Sequence, residues 1–140
     1  MNSSQSQTLT ETSSCSQQPT LVFDLKKNRI RIHKKTLHLL GDPDYVQFLV
    51  NPETKTIAIR AREHEDKTTE KIRWQYIGGR QCCEFYSKFL IMRLRYYCYN
   101  WDSKCLYRVT GAMFPEENIA AFRLTDSVAI ENEFDYQESE

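Results

Sequence analysis

The chain has 140 residues, of which 40% are apolar, enough to bury the core of one domain but too few for two. Its 19 Lys and Arg balance 19 Asp and Glu, and no stretch approaches the roughly 20 apolar residues that a membrane span needs. The start carries neither a basic cluster nor an apolar run, which argues against a signal peptide and for a cytoplasmic protein without membrane attachment.

Residues 1–20 are nearly all Ser, Thr, Gln and Asn, with Met1 and Leu9 as the sizeable apolar groups, and they read as a disordered arm. From Leu21 short alternating segments begin. Leu21, Phe23 and Leu25 alternate as a first strand, Lys26, Lys27 and Asn28 make a turn, and Ile30 and Ile32 alternate with Arg29, Arg31 and His33 as a second. Lys34 to Leu40 can form two helical turns presenting Leu37 and Leu40, with Gly41 as a stop. Tyr45 to Val50 returns to strand, and Asn51, Pro52, Glu53 and Thr54 turn the chain into a further strand built on Ile57, Ile59 and Ala61.

Glu63 to Lys71 has no apolar anchor and reads as an exposed linker. Ile72 to Ile77 and Cys82 to Tyr86 look like strands around the turn Gly78-Gly79. Ser87 is the expected N-cap of the best helix, whose inner face carries Leu90, Leu94, Tyr97, Cys98 and Trp101. Tyr96, Tyr97, Tyr99 and Trp101 could stack on bases, but their helical placement favours core packing. Leu106 to Thr110 and Ile119 to Leu124 are the closing strands, with Pro115 and Glu116 in the turn between them. An acidic, flexible tail is expected over 126–140, with Phe134 and Tyr136 as its aromatic residues.

The charges are unevenly spread. Residues 21–110 hold 18 Lys and Arg against 10 Asp and Glu, whereas 111–140 hold one Arg against eight acids. A basic body with an acidic tail follows. The five cysteines, Cys15, Cys82, Cys83, Cys98 and Cys105, show no CxxC pair, and no His stands at ligand spacing, so neither a disulfide framework nor a metal site is expected. His33, His38 and His64 lack the HExxH spacing, and four glycines do not make a phosphate loop. The chain therefore reads as no enzyme, with no catalytic residues and no cofactor.

Two segments match without gaps. Pro52, Glu53, Ala58 and Arg60 fall on Pro115, Glu116, Ala121 and Arg123, and Tyr45 and Tyr107 open the preceding strands. The expected domain is thus 21–125, made of two related halves, 21–62 and 72–125, each running strand, helix, strand, strand. The first half, with Ile30-Arg-Ile-His-Lys-Lys-Thr-Leu37, Leu40-Gly41, Asp44-Tyr45-Val46 and Thr56-Ile57-Ala-Ile59-Arg60, resembles the AbrB/MazE swapped-hairpin family of bacterial transition-state regulators and antitoxins. His33 stands where that family usually has Pro, and Pro43 where it has Gly. The chain as a whole is also similar to short proteins of Gram-positive bacteria and their mobile elements.

The resemblance implies a mixed, mainly β fold with short helices (α+β), an AbrB-like swapped-hairpin barrel that one chain builds as a pseudo-dimer, whether monomeric or further dimerised. It also implies a DNA-binding transcriptional regulator. From the residues themselves, Arg29, Arg31 and His33 point away from Ile30 and Ile32, and Arg60 and Arg62 away from Ile57 and Ile59. If the two strands pair, these residues with Lys26, Lys27, Lys34 and Lys35 form one DNA-binding patch, able to contact phosphates and modulated by the acidic tail. The alternative is a protein-interaction module, an antitoxin or adaptor whose tail binds a partner protein through Phe134 and Tyr136.

Overall fold

A computed structural model describes residues 18–130. Ten strands and three short helices follow one another: β1 (Thr20–Asp24), β2 (Arg29–His33), α1 (Lys34–Leu39), β3 (Tyr45–Asn51), β4 (Thr56–Arg62), β5 (Thr69–Lys71), α2 (Trp74–Ile77), β6 (Cys82–Tyr86), α3 (Lys88–Tyr97), β7 (Leu106–Thr110), β8 (Ala112–Phe114), β9 (Ile119–Arg123) and β10 (Val128–Ile130). They form two antiparallel five-stranded sheets, ordered β10-β7-β1-β2-β6 and β5-β3-β4-β9-β8. The protein is mainly β, as its alternating pattern implied.

The core follows from the period of two. Leu21, Phe23, Ile30, Ile32 and Val109 of the first sheet share one buried cluster with Val46, Ile57, Ile59 and Phe122 of the second, joined by Leu37, Ile91 and Leu94 from the helices. Burying each such side chain contributes about 1.5–3 kcal/mol. Thr36 in α1 ties its helix to β1, because its hydroxyl accepts from the Thr20 N–H at 2.8 Å and donates to the Thr20 carbonyl at 3.2 Å. Ser87 caps α3 as expected, accepting from the Leu90 N–H at 3.2 Å. The chain passes from β7 in the first sheet to β8 in the second through Gly111, where a Cβ would meet the Ala121 carbonyl oxygen and lie 2.6 Å from Phe122 Cδ2. Only a residue without a side chain fits this crossing.

Four expectations are corrected. The stretch taken as a linker contains β5, which pairs with β3 through Lys71↔Tyr45, Glu70↔Val46 and Thr69↔Gln47. An edge strand needs only its backbone to pair, so its sequence can be wholly polar. The expected hairpin around Gly78-Gly79 is absent among the described residues: 74–77 form α2, which buries Ile77, and Trp74 Nε1 donates to the Pro43 carbonyl at 2.8 Å. β6 pairs instead with β2. The tail does not begin at 126, because Val128, Ala129 and Ile130 add β10 to β7. Finally, Tyr96 and Tyr99 are 81% and 85% exposed, while Tyr97 and Trp101 pack against the core. Residues 1–17 of the arm and 131–140 of the tail, including Phe134 and Tyr136, lie outside the described residues.

The two matched segments lie side by side. β4 and β9 pair antiparallel with Ala58 opposite Ala121, which are matched positions of the alignment. Lys55 and Asn118, also matched, both take left-handed backbone, with φ of 54° and 56°. β2 and β6 likewise join the halves, with Arg31 opposite Glu84. The halves part company at β7, which joins the first sheet, whereas β3 stays in the second.

Candidate nucleic-acid interface

The nine residues expected to form one basic patch are divided by the topology. β2 pairs with β1 and β6, whereas β4 pairs with β3 and β9, so the arginines of β2 and β4 lie in different sheets. Lys26 and Lys27 are exposed in the turn before β2, where their N–H groups donate to Asp24 Oδ1. Lys35 is exposed beyond the other end of that strand, and Lys34 gives its ammonium to the Gly78 carbonyl at 2.9 Å. These lysines are therefore split between the two ends of a five-residue strand, roughly 17 Å long.

Arg29, Arg31 and His33 do point away from the core, but they are 5%, 7% and 8% exposed and do not form an open patch. The register sets carboxylates beside them. Asp24 stands opposite Arg29 on β1 and Glu84 opposite Arg31 on β6. Arg29 Nη2 donates to Asp24 Oδ2 at 2.7 Å, and Arg31 donates to Glu84 Oε2 from Nε at 3.0 Å and Nη2 at 2.8 Å. Burial of Glu84 disfavours its charge, yet the hydrogen bonds and charge of Arg31, then the charge of Arg29 and the Tyr86 hydroxyl, outweigh this and hold the carboxyl below its usual range. These arginines are neutralised inside the protein. His33 instead caps α1, its Nδ1 accepting from the Lys35 N–H at 2.9 Å. Burial, then Lys35, Lys34 and His38, pull its pKa down to about 4.

Arg60 and Arg62 meet the expectation better. They project from the outer face of the second sheet, opposite Ile57 and Ile59. Reading across the register, one row of this face runs Leu49, Ala58, Ala121, Ala112, and the next runs Gln47, Arg60, Ile119, Phe114. Tyr45 lies beside Arg62 and Lys71, and Arg123 faces Thr56 at the opposite end. Arg60, Arg123, Lys71 and Phe114 are exposed, and the small alanines keep the centre flat. The outward strand positions of this face carry four cations and no carboxylate. At the edge of this face Arg123 pairs with Asp126 at 4.0 Å, and because both side chains are exposed the pair contributes little.

Sequence reasoning missed Arg123, Lys71, Tyr45 and Phe114. Arg123 was already matched to Arg60 in the repeat. The pairing of β4 with β9 turns that match into geometry: the two arginines sit two residues either side of the Ala58–Ala121 pair, with Cα atoms about 14 Å apart by strand spacing. Lys71 could not be found from sequence because β5 was not.

Other chemistry is poorly supplied. Burial, then the neighbouring Cys82 and Glu84, push the Cys83 thiol up to about 11, so it stays protonated at neutral pH and is no nucleophile. Among the described residues no group of three or more His, Cys, Asp or Glu could hold a metal ion, and no helix is long and apolar enough to cross a membrane. No protein family, curated protein or solved structure matches the chain.

Proposed function

We propose that this protein is a small DNA-binding regulator that uses the outer face of its second sheet. The carrying observation is that four cations, Arg60, Arg62, Lys71 and Arg123, and no carboxylate occupy the outward strand positions of the second sheet. Such a face lowers its free energy by taking phosphates in place of condensed counterions. Arg60 and Arg123 are related by the pseudo-two-fold axis between β4 and β9, and their separation is close to the roughly 12 Å width of the major groove. A two-fold protein face suits the two-fold symmetry of duplex DNA. The matched left-handed turns at Lys55 and Asn118 support the reading of two related halves, as in the swapped-hairpin family, where two chains supply them.

Fluorescence anisotropy with a labelled random duplex tests this. The full chain binds with an affinity that falls steeply with salt, and Arg60→Ala with Arg123→Ala reduces the slope of log K against log salt by about two. Equal binding by the doubly substituted chain refutes the assignment of the face, and no binding by either chain refutes the function.

A second reading, a protein-interaction adaptor, is favoured by one observation. Phe89, Met92, Tyr96 and Tyr99 form an exposed apolar stripe along α3 and just beyond it, at spacings of three, four and three. Loss of a co-purifying partner on Phe89→Ser with Tyr96→Ser, with DNA binding absent, would select this reading.

A further inference from the structure

At the end of α3 lies a cavity of about 390 Å³, a size in the range of small-molecule sites. Tyr97, Trp101 and Tyr107 give it an aromatic wall. Trp101 stacks on Tyr107 with ring centroids 4.6 Å apart and planes 10° apart, and Phe23 backs Trp101 at 5.6 Å, so the wall is held from the core. Hydroxyls stand beside it. Trp101 Nε1 donates to Ser127 Oγ at 3.2 Å, and the Asp102 N–H donates to the Tyr107 hydroxyl at 2.5 Å. Each of these oxygens accepts a bond and keeps its own O–H to give onward.

Among the described residues the lining holds one charged side chain, Lys55, and no carboxylate. Lys55 is partly buried, and among the described residues it forms no ion pair. Its backbone is fixed in the left-handed turn before β4, where its carbonyl accepts from the Leu124 N–H at 2.8 Å. Burial raises the Cys98 thiol, which also lines the cavity, and the Lys55 charge partly offsets this, so the ammonium reaches the cavity. A partly buried cation without a carboxylate is stabilised by taking up an anion. We propose that this cavity binds a small, flat aromatic ring bearing one carboxylate. The ring packs against Tyr97 and Trp101, the carboxylate pairs with Lys55, and the Ser127 hydroxyl donates to it. One cation among neutral hydroxyls balances a single negative charge, whereas a phosphate dianion would stay half neutralised. Arg60, Arg62, Lys71 and Arg123 do not line the cavity, so the proposal does not depend on DNA binding.

The indole N–H of Trp101 reports on the cavity, and that of Trp74, which donates to the Pro43 carbonyl and does not line the cavity, is its internal reference. Indole acetate and its neutral alcohol, tryptophol, are titrated separately into the isotope-labelled full chain, and the two indole resonances are followed by NMR. Indole acetate moves the Trp101 resonance saturably and leaves that of Trp74 in place, and tryptophol binds at least about tenfold more weakly. Lys55→Gln, which keeps the backbone bond to Leu124, abolishes the difference between the two ligands. Should that variant disturb the Trp74 resonance before ligand is added, the comparison of the two ligands on the parent chain decides alone. Equal affinity of the parent for both ligands overturns the proposal, as does unchanged affinity of a folded Lys55→Gln for indole acetate, or a Trp101 resonance that stays put at millimolar ligand.

Discussion

Replacing His33 with Asn keeps an acceptor at the N-cap of α1 but removes a ring that the fold holds neutral. The consequence is a pH dependence with a definite sign. In the unfolded chain the imidazole takes up its proton near 6.5; in the fold it does so near 4, because it is buried, flanked by Lys34 and Lys35 and near His38. Between these values the unfolded chain binds the proton and the folded chain does not, so stability is full above pH 6.5, falls as pH drops, and levels off below about 4. Each pH unit in that window costs about 1.4 kcal/mol, and the step from pH 7 to pH 5 about 2 kcal/mol. Urea unfolding followed by the fluorescence of Trp74 and Trp101 measures this at both pH values. The parent chain is expected to lose about 2 kcal/mol and His33→Asn less than about 0.5 kcal/mol over the same step. An equal loss in both proteins would refute the account of a neutral, capping His33.

Glu84→Gln removes the carboxylate that pairs with Arg31 and Arg29, and is expected to cost roughly 3 kcal/mol at pH 7 by urea unfolding. Since the Glu84 carboxyl is held low in the fold, its contribution is present above the ordinary carboxylate range and fades as pH falls through it; the variant shows no such fading. Gly111→Ala forces a methyl group against the Ala121 carbonyl and the Phe122 ring, at a cost of about 3 kcal/mol. Gly79→Ala, with nothing within 4 Å of the new Cβ, should stay within about 0.5 kcal/mol in the same assay. Ser87→Ala strips the N-cap of α3 and loses about 1 kcal/mol in thermal unfolding, which Ser87→Asp restores.

Local pattern was enough for the elements whose signal is local. The alternation of Leu21 with Phe23, Ile30 with Ile32 and Ile57 with Ile59 placed β1, β2 and β4 and their buried faces, and Ser87 placed the start of α3. The short match around Pro52 and Pro115 found two strands, β4 and β9, that pair with each other. What the sequence could not supply was the partner of each strand. Alternation shows that Arg29 and Arg31 share a face with each other, and Arg60 with Arg62, but not which strand lies beside them. Pairing across 53 or more residues set Glu84 beside Arg31 and Ile119 beside Arg60. The same kind of outward arginine thus became a buried ion pair in one sheet and an exposed cation in the other. The edge strands β5 and β10 escaped detection for a related reason: they are held by backbone bonds to a neighbour, which leave little trace in side-chain pattern. The sequence determined which residues face inward; only the tertiary structure decided whether the outward ones meet a carboxylate or water.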